Sequence, residues 1–245
     1  MRDLLREALD EHGDPESAEA VLSLVRPAVA LEVGEGASVY GGLPPLPAGM
    51  EWPVHRGQAL TLLVRLDCAS LAPLYDGDWP LPRDGVLLFF YDDWFGFRQG
   101  EDTLADEFPV SPGCRVLHVP GDDPERPAPD GTHVIPPLPL DARPALSVPD
   151  HTAPELERLW KSGNVDIVRI MGACVAARDA LPASRHLLFG WDEHDVAPGH
   201  GRPLLQVSAE EGTAWGEITG IEFLISEEDL GAGRLDRVRY ALDVA

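Results

Sequence analysis

The chain has 245 residues, and its 42 acidic against 19 basic side chains give a net charge of −23 at pH 7. Self-repulsion on that scale favours solubility and disfavours nucleic acid or an anionic membrane as partner, while suiting a basic protein. Cys68, Cys114 and Cys174 are too few, and odd in number, for a disulfide framework. No apolar run approaches the ~20 residues of a membrane helix. The first ten residues carry charges where a secretion signal needs an apolar core, so a cytoplasmic location is expected.

Leu4, Leu5, Ala8 and Leu9 recur at helical spacing and predict a short helix over residues 2–11, stopped by Gly13. Asp14-Pro15 predicts a second helix, with the aspartate as N-cap and the proline in the first turn. Arg26 precedes Pro27, which pushes it out of the α region and ends that helix near Val25. A strand is expected over Ala28–Val33.

The stretch from Tyr40 to Pro53 fits neither helix nor strand. Gly41-Gly42 permit positive φ, while Pro44, Pro45, Pro47 and Pro53 fix φ and withhold donors, so it reads as a shaped connection. Apolar strands follow over Leu60–Asp67, Gly85–Tyr91 and Cys114–Val119. The second has large side chains on both faces, which predicts a central strand covered on both sides. Residues 120–131 read as a Pro/Asp-rich loop.

Helices are predicted over 153–162, capped at Thr152, and over about 165–179, with Ser162-Gly163 between them. Four strands close the chain: Leu187–Phe189, Leu204–Ser208, Gly220–Ile225 and Val238–Val244. Strands outnumber helices without a βαβ rhythm, which points to an α+β fold with largely antiparallel sheet and packed helices. Glycine, apolar strand, acidic loop, glycine and apolar strand recur in order within each half. Residues 1–33 are expected to pack on a main domain over 34–245. That domain reads as two structurally similar halves, about 34–150 and 151–245.

Several segments together resemble the YwqG-like family of bacterial domains of unknown function. They are Ser38-Val-Tyr-Gly-Gly-Leu-Pro44, Leu46-Pro47, Trp52-Pro53, Gly57-Gln-Ala-Leu60, Gly85-Val-Leu-Leu-Phe-Phe-Tyr91, Leu188-Phe-Gly190, Pro203-Leu-Leu-Gln206 and Ile225-Ser-Glu-Glu-Asp-Leu230. The resemblance implies a cytoplasmic α+β protein and no activity that transfers by motif. Two positions depart from the family pattern: Arg65 stands where glutamine is usual, and Gly190-Trp191-Asp192 where Gly-Tyr-Pro is usual.

The densest polar cluster contains Arg185, His186, Trp191, Asp192, Glu193, His194 and Asp195, with His200 nearby. His186, His194 and His200 are candidates for a metal, because imidazoles and carboxylates ligate divalent ions, although no helical HExxH spacing is present. Trp191 is an alternative exposed aromatic anchor for a partner. Arg65 inside an apolar strand must reach solvent or meet a carboxylate. Cys114 and His118 share a strand face about 13 Å apart, too far for a thiol–imidazole bond, and all three thiols read as buried and inert. Asp92 and Asp93 point to opposite faces unless the chain turns there. Ser226 followed by three acids reads as a helix N-cap.

No nucleophile elbow, phosphate-binding loop or dinucleotide fingerprint occurs. The first expectation is therefore a non-catalytic acidic binding module without a cofactor. It would dock a basic protein, with Arg65, Trp191, Asp192, Glu193 and His194 as candidate contact residues. The alternative is a metal-assisted hydrolase or small-molecule enzyme using the His186–His200 loop.

Overall fold

The computed structural model describes all residues except 94–109, 151–152, 162–165, 193–198, 211–212, 214, 216–217 and 245. Helix α1 (Arg2–His12) ends at Gly13, whose φ of 78° is the left-handed cap conformation. Helix α2 (Pro15–Leu24) starts at the predicted proline, and Asp14 occupies the N-cap position. Its carboxylate accepts from the Ser17 hydroxyl rather than from a backbone N–H of the first turn.

Strand β1 (Arg26–Tyr40) is more than twice as long as the predicted strand over Ala28–Val33. It passes Gly34 and Gly36 through a bulge between Val33 and Ser38, so glycines that suggested a break only bend it. It therefore runs unbroken across position 33/34. The remaining strands are β2 (Val54–His55), β3 (Gln58–Ala59), β4 (Thr61–Asp67), β5 (Val86–Tyr91), β6 (Val110–Ser111), β7 (Cys114–Val119), β8 (Leu138–Ser147), β9 (His186–Phe189), β10 (Arg202–Ser208), β11 (Ile218–Ile225) and β12 (Arg239–Val244).

Ten of them form one antiparallel sheet in the order β6-β12-β11-β10-β9-β1-β4-β5-β7, with β8 along the other edge of β1; β2 and β3 make a separate hairpin. The sheet is two meanders joined back to back, β1-β4-β5-β7 and β9-β10-β11-β12, meeting where Ala28 pairs with Phe189 and Leu31 with His186. Only Pro112-Gly113 separate β6 at one end from β7 at the other, so the sheet must curl almost into a closed barrel. Side chains from opposite arcs meet inside it: the Phe89 and Phe223 rings lie 5.1 Å apart, and Tyr91 and Tyr240 lie 6.5 Å apart. The fold is thus mixed α+β, but mostly sheet with few helices.

Strand β5 is covered on both sides, as its sequence requires. Leu87, Phe89 and Tyr91 enter the barrel core, whereas Leu88 and Phe90 enter a second cluster with Leu46, Leu60 and Leu62. The Gly/Pro segment supplies the cover for that outer face. Met50 and Trp52 pack there, with the Trp52 ring 5.7 Å from Phe90 and its indole N–H donating to the Leu60 carbonyl at 2.9 Å. Gly41 is needed because its φ is 67° and a side chain would meet the Ile135 carbonyl at 2.7 Å. The Arg126 guanidinium fastens the segment, donating to the carbonyls of Leu46 at 3.1 Å, Pro47 at 2.6 Å and Met50.

Strand β8 has no counterpart in the sequence expectations. Pro139 and Pro144 mask it, and they are tolerated because, among the described residues, β8 pairs only with β1. Beyond the sheet, α1, α2, α4 (Pro154–Lys161) and α5 (Ile167–Ala180) share one apolar cluster, including Leu5, Leu9, Val21, Leu156, Ile170 and Cys174. Asp166 caps α5 through Val168 N–H at 3.0 Å and Arg169 N–H at 3.1 Å. Thr152, Ser162 and Gly163 lie outside the described residues. Short helices α3 (Cys68–Leu71) and α6 (Glu227–Gly231) follow β4 and β11, and Ser226 caps α6 as expected, accepting from Asp229 N–H at 3.0 Å.

Candidate functional site

Five strand ends meet at one end of the barrel: the starts of β1 and β10 and the finishes of β8, β9 and β11. Together with α4 they enclose a cleft of about 610 Å³ lined by Arg26, Asp150, Glu155, Arg158, Trp191, Asp192, His200, Arg202, Ser226 and Glu227, among others. Its position follows from how β9 stops. Phe189 has φ 65° and Gly190 φ 89°, two successive left-handed residues that turn the chain back across the barrel end. The conformation costs a non-glycine residue about 1–3 kcal/mol. Phe189 is held in it by its ring, which packs 5.0 Å from Tyr75 and 5.7 Å from Trp79. A side chain at 190 would meet Ser147 Cβ at 2.8 Å.

That turn sets Trp191, and four contacts fix it. Its backbone N–H donates to Ser147 Oγ at 2.9 Å, and its indole N–H to the Leu24 carbonyl at 2.7 Å. Its carbonyl accepts from Gln206 Nε2 at 2.9 Å, and its ring packs into the helical cluster. The expectation of an exposed anchor is therefore corrected: Trp191 is only 7% exposed and joins the barrel end to the helices.

The Arg26 guanidinium carbon sits 3.3 Å from the Trp191 ring centroid, on the ring face. No carboxylate or carbonyl among the described residues accepts a hydrogen bond from it. Burial, and after it the nearby Arg202 charge, hold Arg26 below the usual guanidinium range. Arg202, 17% exposed, donates from Nη1 to Glu227 Oε1 at 2.9 Å, while its buried Nε has no partner. Arg158 pairs with Glu155 at 3.0 Å, and Asp150 with Arg178 at 2.7 Å. The cleft thus holds two guanidinium groups with unused donors, surrounded by carboxylates.

Of the residues singled out in the sequence, Trp191, Asp192 and His200 line this cleft. Glu193 and His194 lie outside the described residues. Arg65 does not line it. It bonds Glu125 Oε1 at 3.1 Å beside the outer face of β4, with the two side chains 24% and 54% exposed. His186 is at the other end of the β9–β10 pair, opposite Val207, while His200 precedes Arg202. On a ladder of ~3.3 Å per residue they stand on the order of 20 Å apart, so one ion cannot touch both. Among the described residues no group of three His, Cys, Asp or Glu is placed to hold a metal ion.

His186 is buried beneath Tyr40, its ring 5.5 Å away, and its Nδ1 accepts from Ser208 N–H at 3.2 Å. Burial, then the Arg185 charge, push its pKa down to about 4. The Glu210 carboxylate 3.3 Å from Nε2 does not reverse this, because Arg185 engages the same oxygen at 2.6 Å. The three thiols are buried, and burial pushes Cys68 and Cys174 up to about 11 and Cys114 to about 12. The chain does turn at Asp93, which accepts from Tyr91 OH and lies 2.6 Å from His133 Nδ1. Trp215 Nε1 in turn donates to the Tyr91 oxygen at 2.8 Å, so Asp93 closes a structural network at the barrel seam.

Sequence reasoning missed Arg26, which registered only as a helix stop, and Arg202. It also missed Gln206, whose amide holds the Phe189 and Trp191 carbonyls at 3.3 and 2.9 Å. A lone glutamine in the apolar run Pro203–Val207 was the available signal. No curated protein matches the chain. A family match covers residues 38–244, which takes in Trp191, Asp192 and Arg202 but leaves Arg26 outside. Over that span the chain belongs to the family described as "Domain of unknown function (DUF1963)".

Proposed function

We propose that this chain is a non-catalytic binding domain that docks a basic protein and anchors it in the cleft at the barrel end. The observation that carries this reading is the cleft itself, where Arg26 on Trp191 has no acceptor among the described residues and Arg202 engages Glu227 through Nη1 alone. Burying an unpaired donor is costly, and folds keep such groups where a ligand completes them. Two left-handed residues at Phe189-Gly190 support the same place, since backbone strain gathers at binding sites. The net charge of −23 favours a cationic partner through long-range attraction.

The cleft departs from the YwqG-like pattern at Gly190-Trp191-Asp192, and Arg26 comes from outside the matched span. A cytoplasmic setting belongs to the same reading; among the described residues no helix is long and apolar enough to cross a membrane. So does an internal duplication, with a helix pair preceding each meander: α1-α2 before β1, and α4-α5 before β9. The N-terminal helices then belong to the first half. The metal-assisted hydrolase alternative draws no support from the separation of His186 and His200.

Calorimetric titration of the full chain with a lysine-rich peptide tests the docking. Binding at low ionic strength is expected, weakening steeply as salt is raised. Heat-silent mixing at low salt would reject it.

A further inference from the structure

We infer that the floor of the cleft is a receptor for an α-carboxylate, with the guanidinium groups of Arg26 and Arg202 as its donors. The inference rests on the cleft being the docking point. At 3.3 Å from the Trp191 centroid, Arg26 lies on the ring face, and none of its N–H groups donates to a carbonyl or carboxylate among the described residues. The guanidinium edge therefore stays available, and its fork matches the two oxygens of a carboxylate. Trp191 cannot swing aside, because Leu24, Ser147 and Gln206 hold it. Arg202 is oriented by Glu227, leaving its Nε buried and without a partner. Both arginines begin a strand at this barrel end, Arg26 in β1 and Arg202 in β10, and both line the cleft.

The surrounding charges select among anions. Asp150, Glu155, Asp192 and Glu227 line the same cleft beside Arg26, Arg158 and Arg202, so four acidic groups stand against three basic ones, a balance that opposes a phosphate dianion more than a singly charged carboxylate. They also suit positive charge close to that carboxylate. A peptide C-terminus preceded by basic residues has this arrangement, and so does a free amino acid. The shared chemistry is a carboxylate within a few bonds of an ammonium group.

The test follows the Trp191 indole N–H signal of the full chain by NMR, assigned with Trp191→Phe. The probes are lysyl-lysyl-glycine as free acid and as amide, acetylglycine, free glycine and inorganic phosphate. The free acid is expected to bind about tenfold more tightly than the amide, as the loss of a charge-assisted pair implies. Arg26→Met should erase that preference, with Arg26→Lys intermediate and the unfolding midpoint confirming that each variant folds. If glycine and acetylglycine bind through Arg26 and lysines add nothing, the receptor stands, with a free amino acid as its source, and the basic-partner reading falls. If amide and acid bind equally, the receptor falls and docking survives. Phosphate outcompeting acetylglycine would overturn the choice of carboxylate, and silence from every probe would overturn both proposals.

Discussion

Arg126 and Arg26 are both half-buried guanidinium groups beside a tryptophan-bearing segment, yet their surroundings differ in kind. Arg126 gives its donors to three carbonyls of the Gly/Pro segment, and Arg65 nearby meets Glu125. At the barrel end, Arg26 rests on Trp191 without an acceptor among the described residues, and Arg202 keeps a buried Nε without one. In the first region arginine completes the fold; in the second the fold leaves arginine incomplete. The same residue type can thus be assigned to architecture or to binding by asking whether its donors are satisfied internally.

The largest expected effect lies where the two demands meet. Trp191→Ala removes a buried ring together with the support for Arg26. It should cost about 4 kcal/mol in denaturant unfolding and abolish cleft binding. Arg126→Ala separates the two regions: it should cost about 3 kcal/mol by leaving three carbonyls without their charged donor, while peptide binding stays intact. Loss of binding in that variant would break the comparison.

Acid sensitivity is the next largest effect. His186 is held near pKa 4 in the folded chain against an ordinary 6.5. As pH falls below about 6.5, the unfolded chain takes up the proton first. Stability is therefore full above that pH and declines until pH reaches about 4, by up to about tenfold in the folding constant per pH unit. Unfolding curves across this window should show the decline, and His186→Gln should flatten it. The smallest effect belongs to Arg65→Gln: an exposed pair with Glu125 contributes less than about 1 kcal/mol, so unfolding should barely move.

Much of this architecture was legible in the order of residues. Helices α1, α2, α4 and α5, strand β5 with its two covered faces and the closing strands of the second meander follow from apolar spacing and capping residues. Strand β8 was hidden by Pro139 and Pro144, residues that an edge position tolerates and a central one does not. The continuation of β1 was hidden by Gly34 and Gly36, which mark its bulge. The cleft was half legible. Trp191, Asp192 and His200 belong to the conspicuous polar cluster, but Arg26 and Arg202 are far apart in sequence and meet only because β9 lies between β1 and β10. Arg65 attracted notice through its apolar neighbours, and Glu125, 60 residues away, explains it.

The most direct test measures folding and binding on one preparation of Arg26→Met. Methionine keeps contact with Trp191, and removing an unpaired guanidinium offsets the lost stacking, so unfolding free energy should stay within about 1 kcal/mol of the parent chain. Affinity for lysyl-lysyl-glycine should fall at least about tenfold. A variant that unfolds readily yet binds the peptide as before would contradict the account, because Arg26 would then serve the fold and not a ligand.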